Sequence, residues 1–274
     1  MLLATRIGVP VSTTHALVGA LAGAGAVAAG SALDLSVLGG VFVVPLLAGP
    51  ILGIALAFAL LKLGGGLARK FSTGVETCVC VERIEPVFPV AGGAVALAES
   101  LLALVVEHRQ ECAQRADARV LGFELGHLVD FSHVASASLV GFARGLNDTP
   151  KLFGLVAGLG IVSASAGSLA LGSAMALGGW LGARRVAETL ANKITPMTPP
   201  EGLAGNAATA LLVASASSLG LPVSTTHVST GGIFGIGASN GELRWRMAGE
   251  VVLAWVVTLP LAAGLGSALM WSLR

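Results

Sequence analysis

The 274-residue sequence predicts an all-α integral membrane protein: a polytopic helical bundle with two inverted repeats, helices broken at a repeated motif, and a small soluble insertion with some strand content. Three observations carry this expectation. Mean hydropathy is +0.85, with 54% apolar and only 11% charged residues, against about 25% charged in an average soluble domain. Glycine supplies 38 residues and tyrosine none; small residues let helix backbones approach closely in lipid, where apolar burial no longer drives association. The pattern Gly-x-Pro-Val-Ser-Thr-Thr-His occurs at Gly8 to His15 and again at Gly220 to His227. The same offset of 212 positions pairs Gly19, Gly23 and Gly25 with Gly231, Gly235 and Gly237. Two distant copies of a hydroxyl-rich break in apolar surroundings point to one site built from two related halves.

A span needs about 20 apolar residues to cross about 30 Å of hydrocarbon. Candidates in chain order are Val9 to Gly30, Val37 to Leu61, Leu203 to Leu219, Leu221 to Ala238 and Ala248 to Leu273. Leu139 to Ala183 is long enough for two passes, expected to be interrupted near Asn147 and turned near Ser163 to Ser168. Pro45 and Pro50 are expected to kink the second segment and Pro260 the last, as neighbouring helices can re-satisfy the freed backbone. From Lys62 to about Gly126 the character changes: Thr77 to Glu82 reads as a strand, and Glu107 to Arg119 is densely charged. The expected domains are therefore a first membrane part at 1–62, a soluble insertion at 63–126, and a second membrane part at 127–274. No cleavable signal peptide is expected around Met1. Basic residues cluster at Arg184, Arg185 and Lys193, and at Arg244 and Arg246, and both clusters are expected on one side of the membrane.

Net charge is +1, which gives no argument for nucleic acid as a partner. Cys78, Cys80 and Cys112 are odd in number and all lie in the polar stretch, which argues against a disulfide framework. With His108 nearby they would permit a metal, but zinc sites usually show a tighter ligand pattern, so neither metal nor cofactor is expected. Ser, His and Asp are present without a Gly-x-Ser-x-Gly turn or metal-ligand pair, so an enzyme is not expected.

The repeated motif carries the chemistry. Proline cannot continue a preceding helix, and Ser or Thr caps the next one. The expected geometry is a helix that stops, turns and restarts inside the membrane, its new start presenting unpaired N–H groups and partial positive charge. Ser12, Thr13, Thr14, Ser224, Thr225 and Thr226 add hydroxyl donors, and a compact oxyanion suits such a cradle. The competing reading is that these hydroxyls only bond within a helical pair. His15 and His227 would either contact the anion or pack against a neighbouring carbonyl. A second constellation is Arg144, Asn147, Asp148 and Lys151, costly in hydrocarbon and functional by default, unless it is a loop at the interface. Asp148 would bind a cation through hard oxygen, helped by the Asn147 carbonyl, while Lys151 would neutralise Asp148 or face the anion. Asn206 would touch substrate or join two helices by its amide.

At these residues the chain resembles the PiT family of inorganic phosphate transporters. The resemblance rests on the two motifs at Gly8 and Gly220, on Gly145 to Asp148, and on Arg184 to Leu190 leading to Asn206. It implies secondary transport of inorganic phosphate, coupled to sodium or protons, in a multi-pass protein of the plasma or inner membrane. The implied partners are phosphate and the lipid bilayer, with a homodimer as the open oligomeric expectation. Some relatives carry sulfate, the alternative substrate. Family members usually hold an Asn-Asp pair upstream of the first motif, so the chain is expected to lack N-terminal helices of the family. An inactive remnant is therefore the rival of a different class. Many relatives place a small residue where Lys151 stands, which tilts the expectation toward proton coupling or altered coupling.

Overall fold

A computed structural model describes residues 2–71, 77–84, 87–89, 95–97, 101–108, 119–120, 123–158, 160 and 163–274. Its backbone divides into two units, Met1–Leu63 with Ala135–Arg274, and Gly64–Val134.

The larger unit is helical, and the motif repeat fixes its local geometry twice over. Helix α1 (Leu2–Ile7) ends at Gly8, whose φ of 80° suits only a residue without Cβ. The amides of Val9 and Gly8 then close back on the carbonyls of Ala4 (2.9 Å) and Thr5 (3.2 Å). This is a Schellman stop, in which the left-handed residue lets the chain satisfy the last carbonyls of the helix. The second copy repeats it at the same offset. Gly220 has φ 68°, and Leu221 and Gly220 donate to Ala216 (2.9 Å) and Ser217 (3.1 Å). Pro10 and Pro222 forbid continuation, and Ser12 and Ser224 restart the helices. Each serine is extended and accepts, through its side chain, from the amide of the histidine three residues on. The restarted helices are α2 (Thr13–Ala29) and, at the far end of the chain, α8 (Thr225–Asn240).

Between them, a short helical turn α3 (Leu35–Val37), held by the Asp34 carboxylate accepting from Ser36 and Val37, leads through a π-turn (Leu38–Val43) into α4 (Val44–Phe71). Helix α5 (Leu125–Ala157) is followed by α6 (Ala164–Glu188), which runs into a π-turn (Thr189–Lys193). Helix α7 (Pro199–Ser218) precedes the second break, and α9 (Trp245–Ser272) closes the chain. Glu201 accepts from the Thr198 amide at 2.7 Å, fixing the start of α7. Asn240, at the end of α8, reaches the Pro196 carbonyl and Glu201. Helices α7 and α8 are thus a hairpin whose tip is the second motif. Arg244 donates to the carbonyls of Asn192 and Lys193, so Lys193 and Arg244 lie together, whereas Arg185 donates to the Arg6 carbonyl beside the first break.

Several sequence expectations change. The helix α5 runs unbroken through Asn147 and Pro150, because the polar side chains there find partners in the protein and the backbone has no need to open. Helix α5 ends at Ala157 and α6 starts at Ala164 with Ser163 as its cap, earlier than the expected turn, and Gly160 between them has φ 68°. Among the described residues four helices are long and apolar enough to cross a membrane: Thr13–Ala32, Leu38–Gly64, Ala164–Lys193 and Trp245–Ser272. The hairpin helices, expected as spans at 203–219 and 221–238, are not among them. Sixteen residues give α8 about 24 Å, and most of its residues are buried in protein. A helix enclosed by other helices has no lipid to match.

Helix α8 is the core of this unit. Each of three buried apolar clusters contains one of its residues: Ile233 with Ile194, Val251 and Trp255; Ile236 with Ala57 and Ala208; Val228 with Ala143 and Val213. Large apolar side chains on α2, α4, α6 and α9 face outward, Leu21, Ile51, Leu169 and Leu265 among them, as a lipid-facing surface requires. Glycines set the close crossings. A Cβ on Gly19 or Gly23 of α2 would meet the carbonyls of Leu259 and Ala263 on α9, and one on Gly231 or Gly235 of α8 those of Pro50 and Ile54 on α4. The paired glycines of the two repeats thus make equivalent contacts.

In the smaller unit, β1 (Thr77–Ile84) pairs antiparallel with β4 (Leu101–His108) in unbroken register, Thr77 opposite His108 and Ile84 opposite Leu101. Two shorter antiparallel pairs follow, β2 (Val87–Pro89) with β3 (Val95–Leu97), and β5 (Arg119–Val120) with β6 (Phe123–Glu124). Cys112 lies outside the described residues.

The crossings give a direct test. Gly23→Ala places a methyl 2.0 Å from the Ala263 carbonyl, whereas one on Gly172 of α6 meets nothing within 4 Å. In detergent, thermal unfolding of Gly23→Ala is expected to show a loss of about 1–3 kcal/mol, the usual cost of overpacking. Gly172→Ala is expected to be neutral or stabilising by up to about 1 kcal/mol. Equal behaviour of the two would remove the close α2–α9 crossing.

Candidate functional site

The two restarted helices meet at their first turns, inside the protein. Thr14 Oγ1 donates to the Val223 carbonyl at 3.4 Å, and Thr226 Oγ1 donates to the Val11 carbonyl at 3.5 Å. Thr14 and Thr226 are the same motif position, as are Val11 and Val223, so each copy reaches into the break of the other. The imidazoles of His15 and His227 stack between them, with centroids 4.4 Å apart and planes inclined by 12°. Trp255 on α9 closes this stack, its ring 3.9 Å from that of His227 and its indole N–H donating to the Pro10 carbonyl at 3.2 Å. His227 Nδ1 lies 2.7 Å from Ser224 Oγ, whereas His15 Nδ1 is buried with no partner. The histidines are therefore packed on one another, which sequence alone left open.

Helix α5 brings the second constellation to the same place. Asn147 Nδ2 donates to the Val223 carbonyl at 3.0 Å and to Asp148 Oδ1 at 2.9 Å. Lys151 Nζ donates to that carbonyl at 2.7 Å and to Thr14 Oγ1 at 3.2 Å, and stands 3.5 Å from Asp148 Oδ1. Arg144 lies 3.6 Å from the other carboxylate oxygen and is half exposed. Asn147 and Asp148 are only 4% and 5% exposed, which rules out a loop at the water interface. The carbonyl of Val223 thus accepts from three side chains, and the helix break is what frees it. A carbonyl inside a continuous helix would be taken by an amide four residues on.

Ser12 and Ser224 are spent as helix caps, and both are buried. Thr13 is exposed whereas its counterpart Thr225 is buried, so the matched triplets stand in different surroundings. The amides of Thr13, Thr14, Thr225 and Thr226 fall in first turns, where a helix supplies no acceptor. Asn206 is not part of the cluster. Its amide donates to Ser136 Oγ on α5 at 2.9 Å, eleven residues from Asn147, or about 16 Å of helical rise. Of its two sequence readings, the structure shows the helix-to-helix bond. Trp255 and Ser136 escaped the sequence reading. The signal for Trp255 was an indole N–H in an apolar helix, a donor that must find a partner. Among the described residues no group of three or more His, Cys, Asp or Glu is placed to hold a metal. A cavity of about 570 Å³ opens on the opposite, apolar face of α5, lined by Phe142, Leu146, Pro150 and Phe153, and it does not touch the polar cluster.

Comparison with known proteins accords with this geometry. A family model described as the Phosphate transporter family matches residues 1–266. A probable low-affinity inorganic phosphate transporter of Mycobacterium leprae is 36% identical over 150 residues, covering 50% of this chain and 36% of that protein. One of the same description from Rhizobium meliloti is 38% identical over 47% of this chain and 42% of its own length. Sodium-dependent phosphate transporter 1 of Pongo abelii is 33% identical over 54% of this chain and 24% of its own length. The matched stretches thus span less than half of each relative. A solved structure titled the sodium-dependent phosphate transporter superposes with a TM-score of 0.69 at 22% identity, covering 99% of this chain and 76% of that one. At that identity the likeness establishes the fold.

The Asn206–Ser136 bond makes a separable prediction. In thermal unfolding, Asn206→Ala and Ser136→Ala are expected to be non-additive, with a coupling of about 0.6–2 kcal/mol between α5 and α7. Strict additivity would show that the two side chains do not hold the helices together.

Proposed function

The chain belongs to the phosphate transporter family, and on that premise we propose that it carries inorganic phosphate across a membrane as a secondary active transporter coupled to protons or sodium. The observation that carries this reading is the reciprocal meeting of two broken helices, each start reaching the other's break, beside a buried cluster of Asn147, Asp148 and Lys151. Matched Schellman stops, matched serine caps and matched glycine crossings support a pair of inverted repeats. A two-fold relation of that kind is how carriers alternate between two faces.

In this reading the anion binds where the first turns meet. Unpaired amides of Thr13, Thr14, Thr225 and Thr226 and hydroxyls of the two triplets, Ser12 to Thr14 and Ser224 to Thr226, would line the pocket. Electropositive helix starts suit a tetrahedral oxyanion and repel cations. The direct bonds from Thr14 and Thr226 across the interface are long and therefore weak, so they add little to the cost of separating the tips. Phosphate entry and tip separation would then be one event, with the halves rocking about the histidine stack. Asn147 and Asp148 couple that event to the driving ion, because the Asn147 amide donates both to the carbonyl of Val223 at the moving tip and to the Asp148 carboxylate. Residues 63–126 would form a small soluble insertion.

Radiolabelled phosphate uptake into vesicles carrying the full-length protein tests this reading. Asp148→Asn is expected to lower initial uptake at least tenfold. Ser224→Ala, losing a cap worth about 1 kcal/mol, is expected to lower it several-fold. Excess sulfate is expected to leave uptake unchanged; strong competition would reassign the substrate. Wild-type uptake retained by both variants would remove the mechanism.

A further inference from the structure

Lys151 is held in an unusual way for a lysine beside an aspartate. Its nearest oxygen is the carbonyl of Val223 at 2.7 Å, then the hydroxyl of Thr14 at 3.2 Å, and only then the carboxylate of Asp148 at 3.5 Å. These oxygens come from three places in the fold: the break before α8, the first turn of α2, and α5. An ammonium has three N–H donors, and three oxygens surround this one. No donor is left over for an anion. The carboxylate has a further cationic neighbour in Arg144, 3.6 Å from its other oxygen and half exposed. Charge neutralisation alone would therefore not require Lys151 to press against a carbonyl and a hydroxyl.

A carbonyl, a hydroxyl and one carboxylate are hard oxygen ligands with a single negative charge between them. Such a set suits a small hard cation, and a single charge matches a monovalent one. The side chain of Asn147 braces it, its amide bridging the Asp148 carboxylate and the Val223 carbonyl so that both stay in place. A lysine ammonium is a compact, strongly hydrated point charge on a flexible stem. At this location it stands where a free ion would otherwise be coordinated.

We propose that Lys151 is a tethered cation: its ammonium fills an oxygen site of the kind that takes sodium, so this protein needs no sodium ion there. For transport, the proposal rests on the carrier reading above, and it narrows the coupling to a gradient other than sodium. Binding is a separate matter. Shortening Lys151 would vacate the site and leave the Val223 carbonyl, the Thr14 hydroxyl and the Asp148 carboxylate facing a space that sodium can occupy.

The test is thermal unfolding of the full-length protein in detergent, without phosphate, in sodium chloride against choline chloride at equal ionic strength. Wild type is expected to show no difference between the salts. Lys151→Ala is expected to unfold about 2–4 °C higher in sodium, the shift a ligand at a few times its dissociation constant gives a protein of this size. Adding Asp148→Asn to Lys151→Ala is expected to abolish that shift. A sodium shift in wild type, or none in folded Lys151→Ala, overturns the proposal. Should the alanine variant not fold, Lys151→Thr supplies a second one, with the same sodium shift expected and its absence overturning the proposal. In vesicles, wild-type phosphate uptake is expected to be indifferent to replacement of sodium by choline, and that of Lys151→Ala to require sodium. If wild type takes up no phosphate in either salt, the carrier reading fails, and the unfolding shifts still decide the cation inference.

Discussion

Between α7 and α8 the backbone leaves the helix for a few residues, and the carbonyl of Val223 is left without an amide partner of its own. Into that vacancy come a hydroxyl from α2 and two side chains from α5. One backbone oxygen thereby joins three elements distant along the chain. In a low-dielectric interior an unsatisfied carbonyl costs several kcal/mol, on the order seen for any lone polar group in hydrocarbon. The break is stable only because these partners are present, and the partners are buried only because the break offers them an acceptor. Neither feature survives without the other.

The rest of the larger unit positions that junction. Glycine at Gly19 and Gly23 brings α2 against α9, and glycine at Gly231 and Gly235 brings α8 against α4. Trp255 can then stack on His227 and reach Pro10, fixing the angle at which the first break approaches the second. Small residues in the outer turns and polar residues at the tips are two parts of one arrangement. Close backbones bring the tips within hydrogen-bonding range, and the hydrogen bonds set the register in which the backbones approach.

The two halves of the junction are not identical. The carbonyl of Val223 accepts from a threonine, an asparagine and a lysine; that of Val11 accepts from Thr226 at 3.5 Å. Thr225 is buried while Thr13 is exposed. The asymmetry concentrates charge on one side of the histidine stack, at α5, where Asp148 and Lys151 meet.

Much of this was legible in the sequence, because its causes are local. Glycine, proline and serine at fixed spacing specify stop, turn and restart, and two copies of the string therefore gave two copies of the break. Hydropathy pointed to the four helices long and apolar enough to cross a membrane for the same reason, but it also named the two hairpin helices, which are not among them. What the sequence left open depended on neighbours from elsewhere in the chain. Helix α5 passes through Asn147 and Pro150 without a break because Val223 and Thr14 receive its polar groups, and no local pattern reports a partner 70 or more residues away. Asn206 could have faced a ligand or a helix until Ser136 was seen opposite it. Local chemistry decided where the chain bends; only the tertiary structure decided what stands at each bend, since burial and hydrogen bonding there are properties of the assembled helices.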